Sequence, residues 1–113
     1  MRVQLNTDSN IEGDSALAQQ VEAVVMATLA RLSERITWVE VFLTDENGDR
    51  KSGTHAMRCV MEARLTGLSP IAVTHQAQTV ELAVDGAVGK LERSIETILD
   101  RLSNHQGETP PTE

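Results

Sequence analysis

The sequence predicts an α+β domain of two layers, in which a four-stranded sheet carries two helices on one face in the order β-α-β-β-β-α. Four segments are rich in β-branched residues or alternate between polar and apolar residues, as strands do. Two longer segments repeat apolar residues at spacings of three and four, as amphipathic helices do. The chain has 113 residues, which is enough for one packed core.

The first two elements are predicted from the N-terminal part of the chain. The alternation from Arg2 to Asn6 places Val3 and Leu5 on one side of a short strand. Turn-forming residues follow, and Asp14 or Ser15 can then cap a helix. Apolar residues recur at helical spacing as far as Leu32, so we expect the first helix to cover about Ser15 to Ser33.

Three strands are expected in the middle of the chain. The first covers Ile36 to Thr44, and Asn47-Gly48 lies in the polar loop that leads to its hairpin partner, Thr54 to Thr66. Ile71 to Ala77 forms the last strand. The residues expected on the core face of the hairpin are Val39, Val41, Leu43, Met57, Cys59, Met61, Ala63 and Leu65. The residues expected on its opposite face include Trp38, Glu40, Phe42, Arg58, Glu62 and Arg64.

The second helix has the clearest pattern in the sequence. Its apolar stripe begins at Val80 and continues to Leu102. We therefore expect residues 1–103 to form one domain. Residues 104–113 are polar and include Pro110-Pro111, which predicts a disordered tail.

Composition excludes several classes of protein. Seventeen acidic residues against ten basic residues give a net charge of −7, so a phosphate backbone would be attracted only by a local basic patch. Trp38 and Phe42 are too few aromatic residues for a base-stacking platform. No apolar run approaches the length of a membrane span, and the N-terminus has no secretory leader pattern. The single cysteine fits a reducing cytoplasm, and no membrane partner is expected.

Motifs for catalysis or metal binding are weak. His55 and Cys59 can share a strand face, but two ligands do not make a metal site. The loop from Asp45 to Asp49 imitates the start of a calcium loop, yet Arg50 stands at the glycine position and Ala56 at the glutamate position. Cys59 lies among methionines, which favours a buried, inert thiol. We therefore expect no enzyme activity, metal, cofactor or small-molecule substrate.

The charges of the second helix separate into two sectors when the helix is wound at about 100° per residue. The acidic sector consists of Glu81, Asp85, Glu92, Glu96 and Asp100. The basic sector consists of Lys90, Arg93 and Arg101, with only small residues around it. This sector is either a phosphate-binding stripe or a solvated helix face with ordinary surface ion pairs.

The face of the sheet that carries no helix is a second candidate surface. Trp38 and Phe42 would lie there near Arg58 and Arg64, as aromatic and arginine anchors for a partner protein. The alternative is that a loop or the tail covers these side chains. A protein-interaction module is therefore one hypothesis, and it would bind a basic protein partner through this face or through the acidic sector.

Several motifs resemble those of the ribosome hibernation factor family, also called ribosome-associated translation inhibitors or sigma-54 modulation proteins. The resemblance covers about residues 1–102. The segments that carry it are Asn6-Thr7-Asp8-x-Asn10-Ile11-Glu12-Gly13, Ala16-Leu17 with Val21-Glu22, Asp45-Glu46-Asn47-Gly48-Asp49, Arg58-Cys59-x-Met61-Glu62-Ala63-Arg64-Leu65, Ala72-Val73-Thr74-His75, and Ala83-Val84-Asp85-Gly86-Ala87-x-x-Lys90-Leu91-x-Arg93.

The resemblance implies both a fold and a function. The family fold has the same β-α-β-β-β-α order. Family members bind the small ribosomal subunit in the channel for messenger and transfer RNA, and they hold idle ribosomes inactive during stress or stationary phase. The resemblance thus implies a non-catalytic factor whose partner is the 16S rRNA of the small subunit or the assembled ribosome, with a second protein as a further candidate.

The resemblance also indicates which residues would face the RNA. It assigns Lys90 and Arg93 to that role, and helical geometry adds Arg101. Four further cations are expected to assist, namely Arg31 and Arg35 near the end of the first helix and Arg50 and Lys51 in the hairpin loop.

Overall fold

A computed structural model describes residues 1–8, 11, 14–45 and 57–107, with side chains described as far as residue 103. The elements are strand β1 (Arg2–Thr7), helix α1 (Ser15–Thr28), a 3₁₀ turn (Ala30–Leu32), strands β2 (Ile36–Asp45), β3 (Met57–Leu65) and β4 (Ile71–Ala77), and helix α2 (Val80–Gly107). This order confirms the predicted α+β architecture.

The four strands form one sheet in the order β1-β2-β3-β4. β1 pairs with β2 in parallel because α1 carries the chain back across the sheet, whereas the other two pairs are antiparallel. The register places Val39 opposite both Val3 and Ala63. β4 is an edge strand because it stands last in the strand order. Helix α2 packs across β3 and β4, and helix α1 packs on β1 and against α2.

The core lies between the sheet and the helices and follows the predicted alternation. Val39, Val41 and Leu43 of β2 are fully buried, as are Cys59, Met61 and Ala63 of β3. From the helices, the buried residues include Val25, Leu29, Leu91 and Ile95. Every buried residue in the described part of the chain is apolar or cysteine, so hydrophobic burial is the main force that fixes the helices to the sheet.

Helix α1 begins as predicted and ends earlier than predicted. The Asp14 carboxylate accepts a hydrogen bond from the backbone N–H of Leu17 at 2.9 Å and caps the helix. The α-helix stops at Thr28 instead of Ser33, and the chain tightens into the 3₁₀ turn. Leu29 and Leu32 are both buried, and their spacing of three residues matches the 3.0 residues per turn of a 3₁₀ helix.

Helix α2 is longer than its apolar stripe predicts. It continues to Gly107, so residues 104–107 of the expected tail are helical. No proline occurs between Val80 and Pro110, and glycine is a usual residue at the end of a helix. Residues 108–113 lie outside the described part of the chain, and the domain boundary at 103 stays a prediction. Within the described ranges, neither helix combines the length and apolarity needed to cross a membrane.

Candidate nucleic-acid interface

Lys90 connects α2 to the outer edge of the sheet. Its ammonium group donates a hydrogen bond of 2.9 Å to the backbone carbonyl of Thr74, on edge strand β4. The Lys90 side chain is exposed, and an ammonium group carries three donors. Two N–H donors thus remain for a ligand that approaches this edge.

A shallow groove of about 600 Å³ runs between β4 and α2 beside Lys90. We call it the basic groove, and its lining residues are Ile71, Val73, Thr74, Lys90, Arg93, Ser94, Thr97 and Ile98. The four polar residues from α2 are spaced at i, i+3, i+4 and i+7, which places them on one side of the helix. The described lining contains two cations and no carboxylate, so the groove is positive on a protein whose net charge is negative.

The chemistry of the basic groove suits oxyanions. The Arg93 guanidinium is exposed and presents paired N–H donors that match two oxygens of a phosphate. Ser94 and Thr97 add hydroxyl groups on short side chains, which allow a phosphate backbone to approach the helix. The side chains of this lining can hold an anion through positive charge and hydrogen-bond donors.

The acidic sector borders the basic sector around α2, and its Glu92 and Glu96 pair with Arg31. Glu92 is about 200° around the helix from Lys90. Glu92 pairs with the Arg31 guanidinium at 3.4 Å, and Glu96 forms a second ion pair with the same guanidinium. Arg31 therefore has two carboxylate partners, and it is not brought together with Lys90 and Arg93.

The other predicted cations are dispersed. Arg35 is exposed where β2 begins, and its backbone carbonyl accepts the N–H of Thr66 at 3.1 Å. Arg101 is exposed on α2, and 11 residues separate it from Lys90, or about 16 Å along the helix axis. Arg50 and Lys51 lie outside the described residues. Among the predicted cations that the structure describes, it brings together Lys90 and Arg93.

Comparisons with known proteins agree with the fold described above. Residues 6–103 match the profile of the family described as sigma 54 modulation protein / S30EA ribosomal protein. The chain belongs to this family. The match confirms the resemblance inferred from the motifs, and the matched range includes β2, β3, β4 and the basic groove. A comparison with curated protein sequences found no match.

Solved structures show the same fold as this S30EA family member. The N-terminal domain of Protein Y from Thermus thermophilus superposes with a TM-score of 0.70 at 22% identity, covering 87% of this chain and 99% of that domain. A ribosomal subunit interface protein from Coxiella burnetii superposes with a TM-score of 0.66 at 16% identity, covering 88% of this chain and 99% of that one. At these identities the likeness establishes the fold.

The open face of the sheet holds the residues predicted to bind a partner. The Trp38 ring lies between the guanidinium groups of Arg2 and Arg64, at 5.2 and 5.9 Å from the ring centroid. These cation–π contacts leave the indole half-buried, and its N–H is buried with no hydrogen-bond partner in the described structure. Phe42 and Arg58 are exposed farther along the same face.

Two residues that contact predicted site residues are not indicated by the sequence patterns. Arg2 covers Trp38 because the parallel register places these two residues opposite each other. That contact could have been expected only from the pairing of β1 with β2. Thr74 acts through its backbone carbonyl, which carries no residue-specific signal in the sequence.

Cys59 and His75 are the cysteine and the histidine whose side chains the structure describes. Cys59 is fully buried, and burial raises the pKa of its thiol to about 12, so the thiolate is absent near neutral pH. His75 packs against Gly86 of α2. His55 lies outside the described residues, and the described part of the chain holds no group of three or more His, Cys, Asp or Glu side chains that could bind a metal.

Proposed function

We propose that this protein is a non-catalytic factor that binds the small ribosomal subunit through rRNA phosphates and keeps idle ribosomes silent or stored. The observation that carries the proposal is the basic groove. Lys90 and Arg93 lie one helical turn apart there, next to small hydroxyl side chains, and the described lining of the groove contains no carboxylate.

The net charge of −7 determines how such a groove would work. The whole-molecule field disfavours contact with RNA, so binding requires that the positive edge face the phosphates. Glu92 and Glu96 of the acidic sector lie outside the groove lining, and Arg31 partly balances them. This separation of charge favours one orientation, with β4 and the basic side of α2 toward the RNA.

Family membership supports a ribosomal partner. The family is described as including an S30EA ribosomal protein, and the Coxiella burnetii neighbour is described as a ribosomal subunit interface protein. The protein would bind 16S rRNA in the small subunit or in the assembled ribosome. Once bound, it would sterically block other ligands of the same site. The proposed mechanism is steric occlusion of the ribosome, in the cytoplasm during stress. This mechanism needs no enzyme activity, cofactor or small-molecule substrate.

The other predicted cations are expected to assist the basic groove. Arg35 and Arg101 are exposed and can extend the phosphate path beyond the groove. Arg31, Arg50 and Lys51 stay predicted RNA contacts. Trp38, Phe42, Arg58 and Arg64 stay a predicted surface for a second protein.

Co-sedimentation with purified ribosomes on a density gradient tests the proposal. The test variant is Lys90→Gln plus Arg93→Gln, which removes two positive charges from the groove. The control is Gln19→Glu plus Ala27→Glu, which changes the net charge equally at exposed positions of α1. We expect the test variant to lose at least about tenfold in affinity at about 50 mM salt, because each phosphate contact releases counterions.

The control separates the groove from the overall charge. It should co-migrate with ribosomes almost as the wild type does. Equal losses in the two variants would mean that net charge alone governs binding. Absence of the wild-type protein from all ribosomal fractions would contradict the proposed function itself.

A further inference from the structure

A second groove lies on the opposite side of α2, between that helix and α1. It has a volume of about 390 Å³, and we call it the interhelical groove. Its apolar lining consists of Leu17, Val21, Ala23, Val24, Val80 and Val84. Its volume lies within the range of sites that hold ligands and anchor side chains.

The rim of the interhelical groove is acidic on the α2 side. Glu81 and Asp85 are exposed and lie one helical turn apart beside Val80 and Val84. Neither carboxylate has a hydrogen-bond or ion-pair partner among the described residues, in contrast to Glu92, which pairs with Arg31. The groove therefore combines an apolar floor with two unpaired negative charges.

The α1 side of the rim offers small, uncharged surface. Gln20 and Ala23 are exposed, and both lie on the side of α1 that faces the first turns of α2. A short side chain such as that of Ala23 leaves space for the backbone of an incoming element. The two sides of the rim therefore differ, because the α1 side is uncharged and the α2 side is acidic.

We propose that the interhelical groove binds a basic amphipathic helix of a partner protein. Apolar side chains of the partner, spaced at i and i+4, fill the groove, and its lysines or arginines pair with Glu81 and Asp85. The same two carboxylates repel RNA phosphates and lipid carboxylates, which excludes those ligands from this site. The negative charges of Glu81 and Asp85 therefore favour a positively charged helix as the ligand of this groove.

This site is independent of the basic groove. The interhelical groove uses Glu81 and Asp85 of α2, whereas the basic groove uses Lys90 and Arg93 on another side of the helix. One molecule can hold RNA at one groove and a protein segment at the other. A partner docked here would lie away from the phosphate-binding edge.

Fluorescence anisotropy with a labelled synthetic peptide tests the inference in the absence of ribosomes. The probe is a peptide of about 14 residues that carries leucines at i, i+3, i+4 and i+7 and lysines elsewhere. Two control peptides have the same leucine pattern with glutamate in place of lysine, and the same composition in scrambled order. We expect only the patterned lysine peptide to bind with saturable affinity.

A matched pair of variants locates the binding site. Glu81→Gln plus Asp85→Asn should weaken peptide binding by about fivefold or more, because charge pairing is lost without a change in shape. Glu22→Gln plus Glu34→Gln removes the same charge at exposed positions outside the groove and should change affinity less than twofold. Amide chemical shifts of Ala23, Val24 and Val84 should move on binding in the wild type.

Three results would overturn the assignment. Equal binding of the scrambled peptide would indicate nonspecific attraction, and equal loss in both variant pairs would indicate a general charge effect. Self-association of the protein that Glu81→Gln plus Asp85→Asn abolishes would identify a second copy as the occupant. Because ribosomes are absent, none of these results bears on ribosome binding.

Discussion

The imidazole ring of His75 occupies the space where a Cβ atom at Gly86 would lie. β4 and α2 therefore meet at a point where the helix has no side chain. This contact brings the helix within a short distance of the edge strand. The same distance allows Lys90, one helical turn farther along, to reach the Thr74 carbonyl.

Gly86→Ala should destabilise the fold despite the better helix propensity of alanine. Alanine would gain up to about 1 kcal/mol in propensity. Its methyl group would overlap the imidazole ring, and forcing extra volume into a packed contact costs about 1 to 3 kcal/mol. We expect a net loss of about 1 kcal/mol in the free energy of unfolding, measured by urea denaturation.

Gly89→Ala is the matched control on the same helix. A Cβ at Gly89 would meet only the Arg93 guanidinium, at 3.7 Å, which is an ordinary contact distance. We expect this substitution to raise stability by up to about 1 kcal/mol. Similar effects of the two substitutions would show that the His75 contact does not constrain α2.

Cys59 should be unreactive in the folded protein. With its pKa raised to about 12 by burial, the thiol should not react with a disulfide reagent at pH 8 in native buffer. The same cysteine should react completely in urea, where the chain is unfolded. Rapid reaction under native conditions would contradict the burial of Cys59.

The raised pKa of Cys59 also predicts how stability depends on pH. The folded thiol keeps its proton up to about pH 12, whereas the unfolded thiol loses it near pH 9. The folded state binds more protons in this window, so stability falls as pH rises above 9, by up to about 1.4 kcal/mol per pH unit. Urea denaturation from pH 8 to 10.5 should show this slope in the wild type and its loss in Cys59→Ala. The chain has no tyrosine to contribute in this range.

Arg31 should matter less for ribosome binding than Arg93. The two arginines carry the same charge, but Glu92 and Glu96 already pair with Arg31. We expect Arg31→Gln to weaken co-sedimentation with ribosomes by less than threefold and Arg93→Gln by about tenfold. Equal losses would place Arg31 at the RNA and would show that its ion pairs open on binding.

The type and the buried face of a single strand or helix could be predicted from the sequence, because these features depend on residues that lie close together in the chain. Alternation along Val39, Val41 and Leu43 identified the buried face of β2, and all three residues are fully buried. The sequence allows Asp14 or Ser15 as the cap of α1, and Asp14 is the residue that caps it. The separation of Lys90 and Arg93 from Glu92 follows directly from the winding of one helix.

Contacts between distant residues could not be predicted in the same way. Arg31 and Glu92 are 61 positions apart, and their pairing depends on how the 3₁₀ turn packs beside α2. The end of α1 at Thr28 depends on burial of Leu29 and Leu32 against the sheet. The covering of Trp38 by Arg2 depends on strand register. These features arise from tertiary packing, which a local pattern does not encode.

The salt dependence of ribosome binding tests the central claim most directly. Affinity should be measured by co-sedimentation at several salt concentrations from about 50 to 200 mM, for the wild type and for Lys90→Gln plus Arg93→Gln. If both residues contact phosphates, the logarithm of the association constant should fall linearly with the logarithm of salt, with a slope smaller by about 1.4 to 1.8 in the variant. Identical slopes for the two proteins would contradict phosphate binding at the basic groove.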